Sequence, residues 1–377
     1  MSESYNSVER ENLYGTGKND EAEITEPFNP KDVDIITQSM VVANIIERLR
    51  DGRILLEPDF QRYPDLWDDR KQSRLIESLI VRIPLPSFYF DYDNDNDIYT
   101  VVDGLQRLWA IRRFAAITED DPDRLRLKDL EYLPELNGKK YEELPMVFQR
   151  RIREQIIVTY VIRPGTPDNV RTSIFTRINT GGLQLTPAEI KNSVFRGKPA
   201  NLLKELAHSE EFVRATGGKI KQTRMLDCEF VNRFLAFYLQ DLAGYPENLE
   251  SFLLSVLTDI KDYSSEQLEE CRYAFKKAME TAYDVFGELA FRKIQKNGGY
   301  GKINKPLFEC VSGRFARMTE EECAGLIKKK ELFLEKYKKL LKTPEFIDVI
   351  TNGTAKKVSI EKRNKELDRI IQETLSE

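Results

Sequence analysis

Ile98-Tyr99-Thr100-Val101-Val102-Asp103-Gly104-Leu105-Gln106-Arg107-Leu108 reads as a strand that becomes a helix within a few residues. β-Branched and aromatic side chains run to Val102, and then Leu105, Leu108, Ile111 and Ala115 recur on one helical side. A helix that starts directly after a strand presents unpaired backbone N–H groups and the positive end of its dipole, which suits an anion. Gly104 lets a phosphate approach the backbone, Arg107 has the fork to hold it, and Asp103 suits a magnesium ion or a hydroxyl. The same residues equally make a plain capped helix with a solvated arginine, and spacing alone does not decide between the two.

Upstream, Val41, Val42, Ile45 and Ile46 predict a short helix ending near Asp51-Gly52. Leu75, Ile76, Leu79, Ile80 and Ile83 predict another that Pro84 stops. Phe88-Tyr89-Phe90 and residues 98–102 are short strands around an Asp/Asn-rich loop, residues 91–97, which lacks the glycine and distal glutamate of a calcium-binding loop. Downstream, Ile156–Ile162 is an apolar strand, and residues 170–178 read as helix. Thr186-Pro187-Ala188-Glu189 has the cap residue, the proline and the glutamate of a helix start. From there the pattern is helical, with Phe230, Val231, Phe234, Leu235 and Tyr238 as one broad stripe. The expected class is α+β, with an acidic flexible tail over residues 1–32, a mixed domain over 33–165 and a helical domain over 166–377.

The chain has 377 residues and is 41% hydrophobic and 32% charged, enough for more than one ordinary core. Four scattered cysteines and a single histidine, His208, exclude a structural zinc site and histidine-dependent nuclease or hydrolase centres. His208 reads as a surface or capping residue at a helix end. The sequence has no signal peptide and no membrane-length apolar run, so the expectation is a cytoplasmic chain with reduced thiols and no membrane partner. No metal site built from the chain's own side chains is expected.

Net charge is −5, which argues against a surface coated for nucleic acid, yet the charge is uneven. Residues 1–60 carry 6 basic and 13 acidic side chains, whereas residues 139–224 carry 16 and 8. If DNA is bound, Arg150, Arg151, Arg153 and the loop from Arg177 through Asn179 to Gly181 and Gly182 are the expected contacts. The competing reading pairs those arginines with Glu142, Glu143 and Glu154.

Two other stretches carry polar groups among aromatics or turns. Pro58-Asp59-Phe60-Gln61-Arg62-Tyr63, followed by Trp67, has the composition of a base- or phosphate-reading loop and also of a surface turn. Phe175-Thr176-Arg177-Ile178-Asn179-Thr180-Gly181-Gly182 ends one helix as a left-handed cap would, before the Thr186 start, and offers backbone amides to a phosphate. Pro167-Asp168 with Glu189-Ile190-Lys191 matches a metal-nuclease pattern on paper, but both acidic residues fall at helix starts instead of strand ends. A phosphate-loop ATPase is excluded, because Gly15-Thr16-Gly17-Lys18 is followed by asparagine.

Taken in order, P-x-F-Q-R-Y-x-x-x-W, I-P-x-P, V-V-D-G-x-Q-R-L and F-x-R-I-N-T-G-G-x-x-L-x-x-x-E-I resemble the N-terminal domain family of GmrSD-type modification-dependent restriction enzymes, a relative of the ParB and sulfiredoxin-like superfamily. The resemblance continues through Arg224-Met225-Leu226-Asp227, Arg233-Phe234 and residues 303–308 to about residue 370. It implies a ParB/sulfiredoxin-like domain that binds, and in many members hydrolyses, a nucleoside triphosphate with Mg2+ in bacterial defence against foreign DNA. The family's D-G-Q-Q-R box falls on Asp103, Gly104, Leu105, Gln106 and Arg107, with Leu105 in place of the first glutamine. The resemblance thus implies Asp103, Gln106 and Arg107 as catalytic and Gln61, Arg62 and residues 103–107 as nucleotide-binding. The implied partners are the nucleotide, DNA and a separate nuclease or ATPase subunit. The alternative is a non-catalytic, ParB-like nucleotide-dependent switch.

Overall fold

The computed structural model describes residues 29–56, 67–118, 121–178, 185–295 and 298–377. They fall into two units, one ending at Val194 and the other running from Phe195 to Glu377.

In the first unit, five strands form one mixed sheet: β1 (Ile35–Val41), β2 (Ile54–Leu55), β3 (Phe88–Asp93), β4 (Ile98–Asp103) and β5 (Ile156–Ile162), in the order β1-β5-β3-β4-β2. β3 and β4 are the antiparallel hairpin that the Asp/Asn loop requires. β2 runs parallel to β4, and β5 parallel to β3. β1 pairs antiparallel with β5; its sequence lacks a clear apolar alternation, and the long-range pairing with β5 supplies what the local pattern does not.

The helices of this unit are α1 (Val42–Arg50), α2 (Asp69–Ile80), α3 (Leu105–Ile111), α4 (Met146–Glu154), α5 (Asp168–Ile178) and α6 (Pro187–Val194). The predicted helices ending near Gly52 and before Pro84 are α1 and α2. Phe88, Phe90, Ile45, Leu79, Ile80, Leu108 and Phe114 fill the core on one face of the sheet. Behind α3 the chain widens into one π-helical turn, Arg112–Ala116, and then a long connection. Glu77 of α2 ties that connection down, since its buried carboxylate accepts the backbone N–H groups of Glu131, Tyr132 and Leu133 at 2.7–3.0 Å. Three charge-assisted bonds to one carboxylate replace secondary structure there.

A change from strand to helix pattern at residue 165 marks where the strands of the first unit stop, whereas its packing continues to Val194. Asp91 on β3, 3% exposed, receives a two-pronged grip from Arg171 on α5, with Nε to Oδ1 at 3.1 Å and Nη2 to Oδ2. The Thr186 cap is real: Thr186 N–H donates to Glu189 at 2.7 Å, and Glu189 N–H donates to Thr186 Oγ1 at 3.2 Å.

The second unit is built from α7 (Lys198–Ala207), α8 (Glu210–Thr216), α9 (Leu226–Leu239), α10 (Leu249–Lys261), α11 (Ser265–Phe286), α12 (Lys305–Arg317), α13 (Glu320–Lys328), α14 (Lys330–Leu340), α15 (Pro344–Val349) and α16 (Lys357–Ser376). One correction to the helical expectation is a two-stranded hairpin, β6 (Arg292–Ile294) with β7 (Tyr300–Ile303). It is too short and too polar to register as alternation. Phe212, Phe230, Phe234, Phe275 and Phe308 pack edge-on or tilted in the core. Through them runs a buried charge network. Glu309 on α12 accepts from Arg233 on α9 and from Arg363 on α16, the latter at 2.7 Å, and Arg233 also binds Glu229 at 3.1 Å. All four cysteines are buried and free; burial pushes the Cys271 thiol up to about 11 and Cys310 to about 12, so neither is a ready nucleophile. No helix among the described residues is long and apolar enough to cross a membrane.

Candidate functional site

β4 ends at Asp103, and Gly104 follows with φ 99° and ψ 10°, the left-handed region that glycine enters without strain. A Cβ at this position would lie 2.5 Å from Phe88 Cδ1. Both constraints require glycine, and both serve to swing the chain off the strand directly into α3. No side chain caps α3 at Gly104.

Arg107 is largely buried here, not solvated. Its Nη2 donates to Asp103 Oδ2 at 2.8 Å, its Nη1 donates to the carbonyls of Pro86 and, at 3.1 Å, Ser87, and its guanidinium lies 4.6 Å above the Phe88 ring. Burial pulls the guanidinium below its ordinary pKa while Asp103 pulls it back. The arginine thereby clamps the I-P-L-P segment, residues 83–86, against the end of β4. This differs from the sequence expectation of a fork aimed at phosphate, because the spacing of a motif does not show which carbonyls fold back onto it.

Gln106 points the other way. Its Oε1 accepts from Trp67 N–H at 2.9 Å, and Gln72 on α2 donates to the Trp67 carbonyl at 2.5 Å. Leu105 packs against the core. Gln61 and Arg62 lie outside the described residues, but both ends of their segment are visible. Leu55 pairs with Thr100 on β4 just before the segment, and Trp67 is bound to the box just after it. Because β2 and β4 are parallel, Leu55 and Asp103 close their strands toward the same end of the sheet, where ligands commonly bind in open sheets with parallel strands.

The basic candidates are more scattered. Arg150 and Arg153 are exposed on α4, and Arg151 lies 5.5 Å over the Phe148 ring. Of their expected acidic partners, Glu142 binds Arg124, and Glu143 lies 3.7 Å from Arg126 and accepts Lys140 N–H. Arg177 is exposed at the end of α5; Asn179, Gly181 and Gly182 lie outside the described residues. The basic stretch 139–224 is divided between the two units.

For the metal-nuclease pattern, Asp168 faces Arg171 at 3.9 Å and Glu189 is a buried cap, so neither is placed as a ligand. Among the described residues no group of three or more His, Cys, Asp or Glu side chains is arranged to hold a metal ion. His208 is the C-cap of α7, as its sequence context suggests, with Nε2 3.7 Å from Asp227, whose carboxyl burial pushes upward. Sequence reasoning missed the roles of Ser87, Phe88 and Gln72, none of which has a motif of its own, and it placed Trp67 in a motif without showing its bond to Gln106.

The first unit is therefore an α+β domain organised around a strand-end turn held by one arginine and one glutamine. Residues 42–196 match the model of the GmrSD restriction endonuclease, N-terminal domain family. The matched stretch ends two residues beyond the first unit, and the motifs after Arg196 lie outside it. No curated protein and no solved structure matches the chain.

Proposed function

We propose that this protein is a component of a restriction-like DNA-defence system that binds a nucleoside triphosphate at the Asp103–Arg107 turn and uses it to control DNA engagement or a partner nuclease. The observation that carries the reading is the turn itself. A left-handed glycine follows β4, a helix begins without a side-chain cap, and Gln106 holds Trp67. Backbone N–H groups of residues 104–107 would receive phosphate oxygens.

Asp103 suits Mg2+, which typically keeps water and phosphate ligands beside one or two carboxylates. Its side chain is 32% exposed, and one of its oxygens is engaged by Arg107. A bound Mg2+ would supply charge neutralisation to the phosphates. Arg107 positions the turn, and Gln106 holds Trp67.

Two features favour binding without hydrolysis. Leu105 contributes to the core where the family box has a polar glutamine, and Arg107 spends its donors on the protein's own carbonyls. Calorimetry with ATP, GTP, CTP and UTP tests the site: Gln106→Ala should weaken binding, and a chain that binds none of the four refutes the reading. Phosphate release then separates hydrolysis from a switch.

DNA contact is assigned to Arg150, Arg151, Arg153 and Arg177, since Glu142 and Glu143 are engaged by Arg124 and Arg126. Log affinity should fall linearly with log salt, and neutralising two of these arginines should flatten the slope by about two units at most. If nucleotide-loaded protein shows no salt-dependent shift of DNA, the switch acts on a protein partner.

A further inference from the structure

The pairing that ends at Asp103 continues across the sheet, with a register shift in the β3–β4 ladder between Tyr89 and Phe90. Tyr89 on β3 is the register partner of both Asp103 on β4 and Tyr160 on β5, and Thr37 on β1 stands opposite Tyr160. The two tyrosine rings stack with centroids 4.8 Å apart and planes 16° from parallel. Phe88 and Phe90, the neighbours of Tyr89, are fully buried in the core, so strand alternation turns Tyr89 to the opposite face.

On that face the Asp91–Arg171 bond holds α5 over β3, but toward β5 and β1 the surface is open. Ile156 is 62% and Val158 40% exposed, and Thr37 and Ser39 are exposed beside them. Burial, Tyr160 and Asp103 all push the Tyr89 hydroxyl upward while Arg107 opposes them, so this ring lies within electrostatic reach of the box.

We propose that Tyr89 and Tyr160 are the base-binding platform of the nucleotide whose phosphates occupy the Asp103–Arg107 turn. This rests on the nucleotide reading above. Asp103 and Tyr160 are two strand spacings apart, about 10 Å, and because the turn packs against Phe88 on the core face, the triphosphate and ribose would pass over the end of β3 to reach the tyrosines on the other face. The two rings are partly exposed and each covers one face of the other, so the outer face of Tyr160, on the side of Thr37, is the one offered to a base. A nucleic-acid strand is the poorer occupant. A strand-binding sheet needs a positively charged track for successive phosphates, and the open residues here, Thr37, Ser39, Ile156 and Val158, carry no charge.

The test uses the full chain with each of the four ribonucleoside triphosphates, inorganic tripolyphosphate and an oligothymidylate. Tyr160→Ala and Tyr160→Leu should weaken nucleoside triphosphates roughly tenfold or more, the scale of one lost base stack, and leave tripolyphosphate unchanged. Equal loss for nucleotide and tripolyphosphate would mean a damaged turn and would overturn the platform. So would unchanged nucleotide affinity in both Tyr160 variants. If wild type binds tripolyphosphate as tightly as nucleotides, the phosphate turn stands and the platform falls; if it binds neither, both fall. Oligothymidylate binding lost in the variants while nucleotide binding persists would assign the tyrosines to a strand and overturn the proposal as made.

Discussion

In the helical unit Glu309 is 2% exposed and receives two arginines, Arg233 and Arg363, that are themselves almost fully buried. In the sheet unit Asp103 keeps about a third of its side chain exposed and receives one, Arg107, which is 11% exposed and also bonds two backbone carbonyls. The chemistry is the same and the consequences differ. Around Glu309 the three charges connect α9, α12 and α16, and burial opposes the charge on Arg233 while Glu309 and Glu229 outweigh it and hold its pKa above the ordinary value. Such a network specifies which helices pack, but its net stabilisation is small because every member gave up water. Around Asp103 the arginine fixes a turn and a strand end while leaving part of the carboxylate and the helix start open. A charge pair at a rim can therefore shape a site that a buried one cannot.

The largest expected effect breaks the buried side of this comparison. Glu309→Ala leaves Arg233 and Arg363 without their shared partner and should cost about 3–5 kcal/mol in urea unfolding. A loss below about 1 kcal/mol would mean that water or a neighbouring group takes over, and the network would not be a packing determinant.

Next is Gly104→Ala at the rim. It meets both the positive φ and the Phe88 ring, so a destabilisation of about 1–3 kcal/mol is expected. Any nucleotide affinity should fall with it. Unchanged unfolding would show that the turn relaxes without the glycine.

Arg107→Lys sharpens the distinction between charge and shape. It preserves the cation facing Asp103 and loses the fork that reaches Pro86 and Ser87, for an expected cost of about 1 kcal/mol. Stability equal to wild type would mean that charge alone holds the clamp, a result that denaturant midpoints resolve.

The smallest effect concerns a cation with no carboxylate. Lys293 on β6 bonds Thr351 Oγ1 at 2.6 Å, and burial lowers its pKa to about 8. Because the folded value lies below the unfolded one, the unfolded chain holds more protons between pH 8 and 10.5, and stability contributed here rises with pH across that window. Wild type should therefore gain on Lys293→Met as pH increases from 8 to 10; parallel curves would show that the amine is well solvated.

The sheet unit's central pattern was legible because its signals are local. β-Branched runs marked β4 and β5, Pro84 ended the helix before β3, and the Thr186–Glu189 cap marked α6. The box was legible as a strand–turn–helix joint around Gly104. The direction in which Arg107 points was not, since its partners Pro86 and Ser87 are brought to it by β3 and not by the motif. β1 and the β6–β7 hairpin were missed for related reasons, one dependent on a partner 120 residues away and the other too short for a period to show.

The sequence by itself determined the class of fold, the position of the turn and the family resemblance, all of which depend on residue type and near-neighbour spacing. Tertiary structure alone decided that Arg107 is a clamp, that Glu142 and Glu143 belong to Arg124 and Arg126, and that Tyr89 and Tyr160 stand in one row with Asp103. Hydrogen-bond and charge partners are chosen by which strands become neighbours, and that choice is made by burial of the whole apolar face, which no short stretch of sequence contains.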